Sequence, residues 1–100
     1  MLIKFSRNGH NPPDKLADCE LQWADGPLSG LKLIGFSVWE RRGGHGRIVT
    51  FPARQYSVSG ERRSFALLRP IVSAADSDRL QALILAGYAE YEQQMAAVDA

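Results

Sequence analysis

The sequence predicts an α+β fold, an antiparallel β-meander of four to five strands followed by one C-terminal amphipathic helix. Short segments of strand composition, separated by glycine and proline turns, fill the first 69 residues. After Pro70 the apolar residues recur at three- and four-residue intervals, which is the period of a helix face. The 100 residues are 45% hydrophobic and 23% charged, which predicts one folded domain over residues 1–100.

Four segments are predicted strands on their composition: residues 19–23, 31–39, 47–51 and 64–69. Residues 2–6 are a candidate fifth strand. The last two of the four run into Pro52 and Pro70, and proline lacks the N–H that a central ladder needs, so both strands are expected to end there.

Two connections between these strands are expected to differ in length. The glycines of the segment Arg42-Gly43-Gly44-His45-Gly46 favour positive φ, which predicts a tight hairpin. The segment from Val58 to Glu61 predicts a looser connection.

The predicted helix carries one apolar stripe, which consists of Leu80, Leu83, Ile84, Tyr88, Tyr91 and Met95. Ser73 or Asp76 is expected to cap its first turn. Gly87 lies on the apolar side, where the lack of a side chain would let the sheet approach closely.

The 31–39 strand predicts a homodimer. Ile34, Phe36 and Val38 are expected on one face, and the other face would carry Leu31, Leu33 and Trp39. One helix covers only one face of a sheet, so a second copy of the chain is the economical source of the other layer.

The net charge of +1 conceals a division along the chain. Residues 41–69 hold seven arginines against one glutamate, a net charge of +6, whereas residues 70–100 carry −4. Guanidinium groups bind phosphate oxygens in a bidentate manner and stack on rings, which favours an anionic partner. The alternative is a basic face neutralised by the acidic helix.

Other classes of function have little support in the sequence. No nucleophile elbow or P-loop occurs, so no enzyme, cofactor or small-molecule substrate is expected. His10 and His45 lie among turn formers and belong to no spaced metal-ligand motif. The single cysteine, Cys19, is expected to pack in a core or an interface, and it favours a cytoplasmic protein. No membrane segment or signal peptide is predicted.

The candidate nucleic-acid-binding residues lie in the basic middle of the chain. They are Arg41, Arg42, His45, Arg47, Arg54, Arg62 and Arg63, with Tyr56 as an interleaved aromatic. Arginines with an aromatic between them can hold a sugar-phosphate backbone and stack a base. Arg69, at the end of a predicted core strand, is expected to be structural and paired instead.

The order of these segments resembles the SpoVG family, small bacterial regulators related to stage V sporulation protein G. The resemblance covers about 70 residues, from Cys19 to Tyr91, and residues 1–18 match poorly. It depends on the strand Leu33–Trp39, the glycine turn, the run Phe51-Pro52-Ala53-Arg54, and the segment from Gly60-Glu61 to Arg69-Pro70-Ile71.

The resemblance implies a homodimer, with strands joined edge to edge, that binds DNA or RNA to regulate expression. Family helices tend to begin with hydroxyl and basic residues, whereas this one begins with Asp76 and Asp78 beside Arg79. Aspartates repel phosphate, so we expect the arginine turns to carry the binding. The alternative function is a structural or protein-interaction module whose basic face is internally neutralised.

Overall fold

The computed structural model describes residues 1–99, and it contains six strands and one long helix in that part of the chain. The elements are β1 (Leu2–Ser6), β2 (Lys15–Gln22), β3 (Lys32–Glu40), β4 (Arg47–Thr50), β5 (Ala53–Val58), β6 (Glu61–Ala66) and α1 (Ala74–Asp99). The first four strands form an antiparallel sheet in the order β1-β2-β3-β4, and β5 pairs with β6 in a second sheet. The predicted α+β class, with antiparallel strands before a C-terminal helix, is confirmed.

Strand β5 is an addition to the predicted elements. Its sequence, ARQYSV, alternates only weakly, and all six of its residues are exposed. It is a strand because β6 pairs with it along its whole length, from Ala53 opposite Ala66 to Val58 opposite Glu61. Composition alone does not reveal such a strand, since its partner supplies the pairing.

The four-stranded sheet and α1 enclose the core, and we call them together the body. The buried core residues are Ala17, Cys19, Leu21, Phe36, Val38, Val49, Ile84 and Tyr88. Helix α1 begins at Ala74, and Ser73, one of the two predicted caps, precedes it: the Ser73 Oγ accepts a hydrogen bond from the Ala75 N–H at 3.2 Å. A Cβ on Gly87 would stand 3.4 Å from the Phe5 ring, so the missing side chain does allow the close approach. Leu83, assigned to the apolar stripe, is instead half exposed.

A bulge in β3 changes which of its residues face the helix. Leu33 pairs with Leu21 and Phe36 pairs with Cys19, so Ile34 and Gly35 together lie opposite one residue of β2. Leu33 therefore packs against the core with Phe36, and Ile34 is 63% exposed. The predicted facing of β3 was wrong at Leu33 and Ile34, because a strict two-residue alternation does not allow for the extra residue.

The outer face of the sheet carries polar residues beside the exposed Ile34. Ser37 lies beside Asp18 there, and the Trp39 Nε1 donates a hydrogen bond to Thr50 at 2.9 Å. The Lys15 ammonium lies 5.9 Å from the centroid of the Trp39 ring. Ile34, at 63% exposure, thus takes the place predicted for Leu33, so β3 keeps apolar residues outside the core, and the homodimer argued from them stays a prediction.

The lengths of the two predicted turns are reversed. Residues 41–46 form a six-residue connection between Glu40 and Arg47, with a 3-10 turn over Arg42–Gly44. The connection between β5 and β6 has only two residues, Ser59 and Gly60, at φ of 52° and 81°. Positive φ at both positions is the signature of the type I′ hairpin. Serine is rare at the first of these positions, so the sequence predicted a looser loop instead.

Pro52 joins the two sheets. Its carbonyl accepts a hydrogen bond from the Leu67 N–H at 2.8 Å, which extends the pairing of β5 with β6. Across the sheet, Gly35 has φ of 107°, and a Cβ there would stand 3.1 Å from the Pro52 Cβ. The bulge in β3 and the bend after β4 thus meet at one close contact.

Helix α1 has no apolar stretch long enough to cross a membrane within the described residues.

Candidate nucleic-acid interface

Strands β5 and β6 form a hairpin that projects from the body. All residues from Ala53 to Phe65 are exposed. Within residues 1–99, neither strand packs extensively on the four-stranded sheet or on α1. The hairpin bears Arg54, Arg62 and Arg63 against Glu61, a net charge of +2. It therefore presents two open sheet faces and three of the candidate arginines.

One face of this hairpin alternates arginines with aromatic rings, and we call it the aromatic face. Directly opposite residues share a face, so Arg54 lies beside Phe65 and Tyr56 lies beside Arg63. The centroids of the two rings are 5.8 Å apart at an interplanar angle of 62°, which confirms that both lie on one side. Each ring thus has one arginine across the strand pair and another two residues away on its own strand.

The opposite face is made of small and polar residues. It carries Ala53, Gln55, Ser57, Arg62, Ser64 and Ala66. Arg62 is the one arginine of the hairpin on this side, next to the turn. The two faces therefore offer different chemistry, and the predicted pair Arg62 and Arg63 is divided between them.

The glycine turn supplies a second basic group on the body. Arg41 and Arg42 are exposed, and the Arg41 N–H donates a hydrogen bond to the Gly46 carbonyl at 2.9 Å. The exposed His45 lies in the same turn, with its ring beside Gly43. Strand β4 and Pro52 separate this group from the hairpin, so the predicted residues form two basic groups.

Arg47 belongs to neither group, because it is engaged with α1. Its guanidinium donates to a Glu92 carboxylate oxygen at 2.7 Å and lies 5.0 Å from the centroid of the Tyr88 ring. The hydrogen bond to Glu92 raises the pKa of Arg47 above its ordinary value. Within the described side chains this is the one contact in which the acidic helix neutralises a predicted site arginine.

The other predicted arginines divide by their ion pairs. Arg63 contacts Glu61 at 3.1 Å, two residues away on the same strand, and both side chains are mostly exposed. Among the described side chains, no carboxylate lies within ion-pair distance of Arg41, Arg42, Arg54 or Arg62. Most of the candidate arginines therefore keep their donors available to an external anion.

Arg69 does not have the structural role expected of it. Strand β6 ends at Ala66, so Arg69 lies in the following segment, where it is exposed. It has no ion pair with any described carboxylate. The expectation of a buried, paired arginine was wrong because it placed the strand end three residues too late.

The remaining residues with reactive chemistry are accounted for by packing. Cys19 is buried between β1 and β3, and burial raises the pKa of its thiol to about 11, which keeps it neutral at physiological pH. Tyr88 is in the core and Tyr91 packs against it, as predicted. Within the described residues, no three His, Cys, Asp or Glu side chains are grouped so as to hold a metal ion.

Phe65 is the residue of this interface that sequence reasoning did not single out. It was assigned to a core strand, where a phenylalanine is ordinarily buried. The sequence does contain a pattern that points to Phe65: Arg63, Phe65 and Leu67 alternate with Arg62 and Ser64, so an arginine and two apolar residues would lie on one side of a strand. A strand with an arginine and two apolar residues on one side is suited to a surface that binds a partner.

Comparison of the chain with models of known protein families, with curated proteins and with solved structures found no match. The membership in the SpoVG family therefore stays a prediction from the quoted motifs. The function has to be argued from the two basic groups and the aromatic face.

Proposed function

We propose that this protein is a small homodimeric regulator that binds DNA or RNA in a bacterial cytoplasm, as the resemblance to the SpoVG family implies. The observation that carries the proposal is the availability of the arginines. Arg41, Arg42, Arg54 and Arg62 are exposed and have no ion-pair partner among the described carboxylates. A guanidinium with free donors is suited to the paired oxygens of a phosphate.

The charge of the helix supports the same surface. Arg79 pairs with Asp76 at 2.7 Å at the start of α1, so the cation there is already compensated. Asp78 adds an exposed negative charge to the same turn. Phosphate is therefore directed to the glycine turn and the hairpin, away from the helix start.

The alternative of an internally neutralised interaction module is supported by one contact, between Arg47 and Glu92. Neutralisation by the acidic helix would have to extend to the glycine turn and the hairpin to remove their field. Among the described residues it does not. Nucleic acid is the partner that agrees better with the remaining arginines.

The structure adds a second candidate surface for the homodimer besides the outer face of β3. The segment between β6 and α1 carries Ile71 at 99% and Val72 at 92% exposure, close in sequence to the exposed Leu67. Two neighbouring aliphatic residues without any cover are costly to leave in water, at about 25 cal/mol per Å² of apolar area. We assign this segment to the contact between two copies.

Binding is tested by fluorescence anisotropy with labelled single-stranded DNA, duplex DNA and RNA at low salt and at increasing salt. We expect affinity to fall steeply as salt rises, because each phosphate contact releases condensed counterions. The absence of binding to all three nucleic acids at low salt would refute the proposed function.

The double variant Arg41→Ala/Arg42→Ala is expected to weaken binding at least tenfold, about 1.4 kcal/mol or more. Each substitution should change the free energy of unfolding by less than about 0.5 kcal/mol, since both side chains are on the surface. Arg79→Ala is the matched control, because that arginine is already paired with Asp76. Unchanged affinity in the double variant would move the site away from the glycine turn.

The dimer is tested by light scattering at micromolar concentration, where we expect about twice the chain mass. The variant Ile71→Ser/Val72→Ser should dissociate it, and Leu83→Ser, at a half-exposed position on α1, should not. A wild-type monomer that unfolds cooperatively would contradict the homodimer.

A further inference from the structure

The two rings of the aromatic face are held in place and remain partly exposed. Tyr56 is 40% exposed and Phe65 is 41% exposed, and the contact between them is edge-on. An aromatic side chain buried in a core loses nearly all its exposure, as Tyr88 does at 1%. Pairing between β5 and β6 fixes the backbone under both rings, so their positions are set while part of each ring stays open to solvent.

Charge completes this surface. Arg54 and Arg63 occupy the other two positions of the same two-by-two arrangement, each adjacent to both rings. Arg54 has no ion pair with any described carboxylate, and the Arg63 pair with Glu61 is exposed. An exposed ion pair contributes little, so a phosphate can replace Glu61 at small cost. Rings beside available guanidinium groups match a ligand in which flat bases alternate with phosphates.

We propose that the aromatic face binds single-stranded nucleic acid, with unpaired bases stacked on Tyr56 and Phe65 and phosphates held by Arg54 and Arg63. This inference rests on the proposed function and specifies its ligand. Stacking needs the face of a base, which only an unpaired strand exposes, since a duplex covers both faces of each base with its neighbours. RNA and DNA share this chemistry.

The probes are chosen to separate stacking from phosphate binding. Fluorescein-labelled oligo(dT) and oligo(U) of about 12 nucleotides, within the usual site size, present both bases and phosphates. An abasic DNA strand of the same length presents the same charge without bases. A duplex of that length presents bases whose faces are covered. Anisotropy titrations of the full chain with all four probes are compared at one salt concentration.

The wild-type protein is expected to bind oligo(dT) or oligo(U) at least about tenfold more tightly than the abasic strand, in line with the value of one stacked base. The variant Tyr56→Leu/Phe65→Leu keeps apolar side chains and should lose this preference. Tyr56→Phe/Phe65→Tyr keeps both rings and should retain it. Gln55→Ala/Ser64→Ala, on the opposite face, is the matched control and should behave as wild type.

The outcomes distinguish the two levels of the proposal. Equal binding of the abasic and base-bearing strands by the wild type overturns stacking but leaves the proposed function standing. Preference for the duplex over every single strand also overturns stacking, in favour of groove binding. Loss of preference in the ring-keeping variant as well would show that the leucine result came from a disturbed hairpin, and would overturn the assignment to the rings. No binding to any probe refutes both the function and the inference.

Discussion

The body and the hairpin both contain antiparallel strands, yet apolar side chains form a buried core in the body and are exposed in the hairpin. In the body, Phe36 and Val38 lie on either side of Ser37 and are buried in the core with Ile84 and Tyr88 of α1. In the hairpin, Tyr56 and Phe65 also alternate with polar residues, but no second layer covers them within residues 1–99. Alternation therefore identifies which residues share a face, and it does not identify whether that face is core or surface.

The difference has an energetic consequence. The body joins four strands to a helix of 26 residues, which buries one face of the sheet. A two-stranded hairpin by itself is marginal in water. The hairpin is held by its type I′ turn, the ring contact and the attachment at Pro52. We expect it to contribute little to the stability of the protein and much to its binding.

The largest expected difference is in the free energy of unfolding when one tyrosine in each region is replaced by alanine. Tyr88→Ala is expected to lower the free energy of unfolding by about 3–5 kcal/mol, because it empties a buried site against Phe5 and Arg47. Tyr56→Ala, on the hairpin, should cost less than about 1 kcal/mol. Urea denaturation followed by circular dichroism measures both. Equal losses would mean that the hairpin is packed in solution and that the contrast between the regions is wrong.

The junction between the regions is tested by Gly35→Ala. At φ of 107° an alanine is strained, and its Cβ would crowd the Pro52 ring at 3.1 Å. We expect a loss of about 1–3 kcal/mol in the free energy of unfolding. Gly9→Ala is the matched control, because a Cβ at Gly9 meets no atom within 4 Å. A neutral Gly35→Ala would show that the bulge relaxes and that the two sheets are not tightly joined.

The smallest expected effect separates a structural arginine from a binding arginine. Arg47→Ala should cost about 1 kcal/mol of stability, since its ion pair with Glu92 is partly exposed, and should change nucleic-acid affinity little. Arg54→Ala should leave stability within about 0.5 kcal/mol and weaken binding. Thermal unfolding and anisotropy on both variants give the comparison. A binding loss at Arg47 alone would invert the roles assigned here.

The elements of the body were predictable because local chemistry and tertiary structure agree there. Tyr88 lies on the packed side of α1 and Gly87 admits the Phe5 ring, as the periodicity of the helix indicated, and Ser73 is the one of its two candidate caps that forms the bond. The candidate site was predictable in part, since the arginines cluster in sequence. The sequence did not predict that these arginines divide between the glycine turn, the hairpin and, for Arg47, an ion pair with Glu92.

The amino-acid sequence was enough to predict the α+β class, the order of the predicted elements, the helix with two candidate caps, and the basic middle of the chain. These follow from period, composition and capping chemistry, which are local. The bulge of β3 at Ile34-Gly35, the strand at 53–58 and the contact between Arg47 and Glu92 could be seen only in the folded chain. Those features depend on which segments pair and what covers them, so contacts between residues distant in sequence decide them.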